Sequence, residues 1–354
     1  MRLLLVTNDY PPTPGGIQMY LKNFVDAFDG EVLVYGPDND DAGVEEGVVR
    51  GSRGYMLPTK DTAADVIAAA QSFQPDAILF GAPHPLPKMG PALREALGAP
   101  FAVLSHGAEV TLPSAAPGVR QTPGRMLAAA DIRFAVSRFT ASKVERLSGR
   151  PVAFLGAGVE TETFVPAENR SAKGRPVIGC VSRFVPRKGQ QRLLDAVAEL
   201  DRDVEVLLVG KGRTEGALRR QADKLGLDVR FEVDVPWSSL PGLYQEMDVF
   251  CMPTSSRWGG LEVEGLGLVY LEASASGLPV LAGDSGGSPE TVLPGVTGYV
   301  VSSVGDIVEG LELVLGDPAL GVQMGREGRR FVESEFTWDR VVERFHDEFD
   351  AHLR

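Results

Sequence analysis

The sequence predicts an α/β protein made of two doubly wound, Rossmann-like domains that face each other across a cleft. Three observations lead there. The chain has 354 residues, more than one hydrophobic core usually supports. Short runs rich in Val, Ile, Leu and Phe alternate with stretches of helical spacing, as in a parallel sheet covered on both faces. The alternation occurs twice, on either side of the polar segment PAENRSAKGRP at 166–176.

The first series of predicted strands is RLLLVT, EVLVYG, DAILFG, FAVLSH, IRFAVS and VAFLGA, with helical spacing at Ile17–Phe28 and Ala63–Phe73. The second is VIGCVS, VEVLLVG, VRFEV, DVFCMP, PVLAG and GYVV. The last piece, FTWDRVVERFHDEFDAHLR, carries Phe345 and Phe349 one helical turn apart, and no strand follows it. It reads as a helix crossing back to the first domain. The expected division is therefore a first domain at 1–168, a second domain at 169–335 and a crossing helix at 336–354.

Bulk properties exclude several function classes. A net charge of −13 argues against nucleic-acid binding, which needs a basic surface, so an anionic ligand must be met locally. Cys180 and Cys251 both sit in apolar runs, which points to buried reduced thiols rather than a disulfide framework or a zinc site. The N-terminal apolar run is too short for a signal peptide, and no segment approaches the ~20 apolar residues of a spanning helix. The expectation is a cytoplasmic protein, or one peripheral to the inner face of a membrane.

The chemistry-bearing motifs fall in the strand-to-helix loops. Gly15 and Gly16 follow the first strand and open a helix, where glycine lets backbone approach a ligand and the helix start offers N–H groups to an anion. Of the four histidines, His346 and His352 lie in the C-terminal helix, leaving His84 and His106 as cleft candidates; His106 ends a strand. SRFVPRKG places Arg183, Arg187 and Lys188 before a helix, a guanidinium fork and an ammonium suited to a diphosphate. Gly210, Gly212 and Gly216 in GKGRTEG miss the dinucleotide spacing by one residue and read better as a tight turn. In EGLGLVYLE, Glu264 precedes a helix and Glu272 lies two turns in; each carboxylate is able to accept two sugar hydroxyls, or else serves as first-turn and surface charge. The loop GDSGGSPE reaches the same cleft. DND at 38–40 and DRD at 201–203 read as solvated turns, so no catalytic metal is expected.

In their order and spacing these motifs resemble the retaining nucleotide-sugar glycosyltransferases of GT-B fold, family four, over nearly the whole chain, from PGGIQ through SHG, SRFVPRKG, EGLGLVYLE and GGSPE to FTWDRV. Within that family, GGLEVEGLG followed by VYLEA is similar to the phosphatidylinositol mannoside mannosyltransferases. The resemblance implies GDP-mannose as donor, no cofactor or metal, and a phosphatidylinositol mannoside glycolipid receiving its second mannose. It further implies that Gly16 donates its backbone N–H to the donor diphosphate, that Arg183 and Lys188 neutralise that diphosphate, that Glu264 with the backbone of Leu266 and Gly267 binds the transferred sugar, that Glu272 holds the ribose, and that His106 bonds the sugar near the reacting centre. The base is expected along RFEVDVPW, near Val233 and Val235. One departure is Ala108, where the family pattern has a second histidine. Same-face attack is implied, the leaving phosphate taking the acceptor's proton. A lipid acceptor implies contact with an anionic membrane, for which Val119–Arg150, with seven bases and two acids, is the expected patch. Three alternatives stay open: the same fold using UDP-glucose or UDP-N-acetylglucosamine and another acceptor, a non-catalytic nucleotide-sugar binding protein, and an NAD-dependent oxidoreductase.

Overall fold

A computed structural model describes residues 1–107, 121–168 and 174–353. The chain forms two compact units, Met1–Gly158 with Trp338–Arg354, and Val159–Thr337.

The first unit is organised by seven strands: β1 (Arg2–Val6), β2 (Glu31–Gly36), β3 (Val48–Arg50), β4 (Ala77–Phe80), β5 (Phe101–Ser105), β6 (Ile132–Ala135) and β7 (Ala153–Phe154). They pair in the order β3-β2-β1-β4-β5-β6-β7, every pair parallel. Leu3 to Val6, Ala77 to Phe80 and Phe101 to Leu104 are wholly buried. Helices therefore cover both faces, which is why these strands read as unbroken apolar runs. β3 is absent from the predicted set: it rests on Val48 and Val49 alone, and at the sheet edge it needs no longer run. The C-terminal helix Trp338–Leu353 belongs to this unit. Phe345 stacks on Phe134 at 5.2 Å and meets Phe24 at 5.3 Å, all three fully buried.

The second unit contains β8 (Val177–Val181), β9 (Glu205–Val209), β10 (Val229–Glu232), β11 (Val249–Met252), β12 (Val280–Gly283) and β13 (Gly298–Val301). Their order is β10-β9-β8-β11-β12-β13, again all parallel. The unit begins at Val159 rather than at 169, because residues 159–165 pack into it. The Val159 N–H donates to the Phe336 carbonyl at 2.8 Å, the Arg329 guanidinium donates to the carbonyls of Phe164 and Thr161, and the Phe164 ring meets Tyr244 edge-on at 5.6 Å. Of the expected linker at 166–176, residues 169–173 lie outside the described residues.

In such sheets the ligand crevice opens at the carboxyl ends of the two strands where the chain reverses its direction of winding. Those strands are β1 and β4 in the first unit and β8 and β11 in the second.

Candidate active site

In the second unit the loop after β8 carries the basic cluster. Gln190, 1% exposed, ties this loop down: its Nε2 donates to Ser182 Oγ at 2.7 Å and to the Arg183 carbonyl at 3.1 Å. Arg183 is exposed and has no ion-pair partner among the described residues, so its guanidinium remains available to an anion. Arg187 and Lys188 are instead paired with a carboxylate. Arg187 Nη1 and Lys188 Nζ both lie 2.6 Å from Glu264 Oε2, a shared oxygen. Oε1 of the same carboxylate has no hydrogen-bond partner among the described residues and keeps its capacity to accept. Burial of Glu264 pushes its carboxyl up, but the charges of Lys188 and Arg187 and their hydrogen bonds outweigh it and bring it down to about 2. Arg187 also faces Glu262, with Nε 3.8 Å from Oε1.

Glu264 is held by its backbone as well. Its N–H donates to Ser285 Oγ at 3.3 Å, and its carbonyl accepts the Gly287 N–H at 3.0 Å. Gly286 sits at φ 61°, and a Cβ added there would collide with the Glu264 carbonyl oxygen, so this approach requires glycine. The GDSGGSPE loop thus acts as the seat of Glu264. Below it, Thr254 Oγ1 is 3.0 Å from the Tyr270 hydroxyl and 3.1 Å from Ser288 Oγ, a buried polar layer.

The helix Leu268–Ala275 is preceded by Gly267, which follows buried Leu266 directly, and carries Glu272 in its second turn. The Tyr244 hydroxyl, wholly buried, donates to Glu272 Oε2 at 2.8 Å. Burial raises the Glu272 carboxyl to about 7, the Tyr244 hydrogen bond opposes that rise, and the charge of Glu160 adds to it. Val233 and Val235 are half-buried on either side of Asp234, which is paired with Lys211. Gly210 and Gly212 bring their backbone against Ser182 and Phe184. That close approach accounts for the glycines without a dinucleotide.

In the first unit, Gly16 is the first residue of the helix Gly16–Ala27, whose leading N–H groups have no partner within the helix. Gln18 in its first turn donates from Nε2 to Asp9 Oδ1 at 2.8 Å, bracing the loop after β1. His106, directly after β5, has Nε2 2.9 Å from the Gly81 carbonyl; a carbonyl only accepts, so Nε2 carries the proton. Tyr20, on the Gly16 helix, meets the His106 ring edge-on at 5.1 Å and donates its hydroxyl to the Gly156 carbonyl at 2.8 Å. Ala108 lies outside the described residues, and His84 is exposed.

Residues 162–331 match the family described as Glycosyl transferases group 1. Over nearly its whole length the chain is 38% identical to the GDP-mannose-dependent monoacylated alpha-(1-6)-phosphatidylinositol monomannoside mannosyltransferase of Corynebacterium glutamicum, covering 97% of this chain and 96% of that one. The chain belongs to the group 1 glycosyl transferases. It is also 39% identical to the GDP-mannose-dependent alpha-(1-6)-phosphatidylinositol monomannoside mannosyltransferase of Mycolicibacterium smegmatis, over 95% of each chain. Among solved structures, Anabaena Alr3699/HepE in complex with UDP superposes with a TM-score of 0.83 at 18% identity, over 99% of this chain and 100% of that one. Sucrose-phosphate synthase from Thermosynechococcus elongatus gives 0.79 at 21% identity, over 99% of each. The fold is GT-B.

In this group 1 glycosyl transferase the structure joins two residues that the sequence left apart: Lys188, assigned to the diphosphate, and Glu264, assigned to the sugar, form one ion-paired unit. Arg183, Glu272, Leu266 and Gly267 lie in the same unit of the fold, Gly16 and His106 in the other. The pairing of Arg187 with Glu264, and the roles of Tyr244, Ser285 and Tyr20, were missed; only the basic type of Arg187 signalled a site. The expected basic patch loses one of its bases. Arg133 is buried and spends its guanidinium on the carbonyls of Ala130, Leu127, Asp131 and Pro151, so it is not a surface charge. Val119 and Arg120 lie outside the described residues.

Proposed function

We propose that this chain transfers mannose from GDP-mannose to a phosphatidylinositol mannoside, adding its second mannose with retention of configuration and without a metal. The observation that carries the reading is the buried Glu264–Lys188–Arg187 unit beside exposed Arg183, in a chain 38% and 39% identical over almost its full length to relatives named for that donor and acceptor. A departing nucleoside diphosphate builds negative charge, and preorganised cations and helix N–H groups stabilise it in the way a metal otherwise would. Arg183, Lys188 and the Gly16 N–H supply those groups; Oε1 of Glu264 and the backbone of Leu266 and Gly267 bind the mannose, His106 bonds it near the reacting centre, and Glu272 holds the ribose. Val233 and Val235 flank the base. The bond from C1 to the diphosphate breaks, the acceptor hydroxyl attacks C1 on the same face, and its proton passes to the leaving phosphate oxygen.

The acceptor brings the protein to the inner face of a membrane. Arg125, Arg138, Arg146 and Arg150 are exposed and Lys143 partly so, and such bases contribute about 1 kcal/mol each toward anionic headgroups. Product analysis tests the reading. With GDP-mannose and phosphatidylinositol monomannoside in EDTA, the expected product is a dimannoside with an α-anomeric coupling in its NMR spectrum. A β-linked product, or activity lost in EDTA and restored by a divalent cation, contradicts the stereochemistry or the metal independence. Flotation with anionic vesicles tests the patch: charge reversal at Arg138 and Arg146 is expected to reduce binding, and unchanged binding counts against it.

A further inference from the structure

On the donor reading Lys188 has two obligations. Its ammonium is committed to Glu264 Oε2 at 2.6 Å, yet it is also the cation assigned to the incoming diphosphate. Leaving Glu264 would take one of its cations from a residue that is 8% exposed, and a buried charge without a partner is strongly destabilising. One ammonium alone does not serve both anions. Arg187 supplies what is missing. Its Nη1 meets the same Oε2 at 2.6 Å, its Nε faces Glu262 Oε1 at 3.8 Å, and its carbonyl is fixed by the Ser255 N–H at 2.9 Å. A planar guanidinium bridges two carboxylates in this way, where a point-charge ammonium does not.

We infer that Arg187 is a positioning residue, the resident counter-ion that keeps Glu264 charged and in place while Lys188 exchanges from Glu264 to the diphosphate of the nucleotide. The inference rests on the proposed donor reading of the same site. It places Arg187 outside direct contact with the phosphates. Its effect on nucleotide binding passes entirely through the Glu264 charge.

The test is a double-mutant cycle on the full chain, with GDP affinity measured by titration calorimetry for wild type, Arg187→Met, Glu264→Gln and the double variant. GDP lacks the sugar that Glu264 is proposed to bind, and Glu264→Gln serves only as the charge-free background in which the Arg187 substitution is compared. Arg187→Met is expected to weaken GDP about tenfold or more, the scale of one unpaired buried charge. In the Glu264→Gln background the same substitution is expected to change it less than about threefold, since no carboxylate is left to strand. Arg187→Lys falls between wild type and Arg187→Met, and carries the comparison if melting shows that Arg187→Met does not fold. An equal loss in both backgrounds means that Arg187 touches the phosphate or only supports the fold, and overturns the inference. Unchanged GDP affinity in Arg187→Met overturns it as well, and in both cases the donor reading stands. A wild-type chain that binds neither GDP nor UDP removes the donor reading, and the inference with it.

Discussion

Lys188 and Glu264, 76 residues apart in the chain, meet at 2.6 Å between Nζ and Oε2, each side chain only 10% exposed. The contact joins the loop after β8 to the loop before the helix Leu268–Ala275, at the carboxyl edge where β8 and β11 part. A buried pair of this kind contributes little net stability over apolar residues of the same shape, while losing one partner is costly. The proposed chemistry, a charged carboxylate with one oxygen open and a cation that passes to the diphosphate, accounts better for its presence.

Removing the cation separates these roles. Lys188→Met leaves Glu264 paired with Arg187, so the chain is expected to fold, with a melting temperature a few degrees below wild type. The kcat is expected to fall about 100-fold or more, the scale of one lost charge stabiliser in a transition state. Steady-state kinetics alongside thermal melts checks this; near-normal kcat would show that the ammonium takes no part in nucleotide departure.

Acid unfolding reports on Glu264. Its folded carboxyl lies near 2, below its ordinary 4.5, so it contributes stability above the unfolded value and loses that contribution as pH falls from about 4.5 toward 2. Urea unfolding at a series of pH values is expected to show a gap between wild type and Glu264→Gln that depends on pH in that window. A gap constant from pH 5 to 2.5 would contradict the depressed carboxyl.

Glu272 titrates the other way. Burial raises its carboxyl to about 7, with the Tyr244 hydrogen bond opposing. In the proposed ribose role only the ionised form accepts two hydroxyls, so GDP affinity is expected to rise as pH passes upward through 7, and to become flat in Glu272→Gln. Tyr244→Phe removes the hydrogen bond that favours ionisation and is expected to move the midpoint higher. Glu272→Ala is expected to raise the donor KM more than it lowers kcat; the reverse would place Glu272 in the chemical step.

Gly286→Ala tests the seat of Glu264. The new Cβ meets the Glu264 carbonyl at a left-handed φ of 61°, so the substitution is expected to cost about 1–3 kcal/mol of stability and to raise the donor KM. Urea melts and donor kinetics on this variant check both. A wild-type donor KM would show that Glu264 does not depend on this loop.

Most of the architecture was legible because parallel strands buried on both faces are unbroken apolar runs, as RLLLV and VEVLLV are. The boundary at Val159 was not, since TETFVP has loop composition and joins the second unit through Arg329 and Tyr244, which are distant in sequence. The residue types of the site were legible in the strand-to-helix loops. Their partners were not: Arg187, Lys188 and Glu264 converge across 76 and 77 residues, and no local spacing signals that. Arg133 misled for the opposite reason, because a base in a charge count looks like any other until its carbonyl partners are seen.

The most direct measurement offers the purified chain GDP-mannose and UDP-glucose side by side, each with phosphatidylinositol monomannoside, and follows donor consumption and lipid product by mass spectrometry. The account predicts that GDP-mannose is consumed with a mannosylated lipid formed, and that UDP-glucose is left. Consumption of UDP-glucose in preference, or of neither donor, would contradict it.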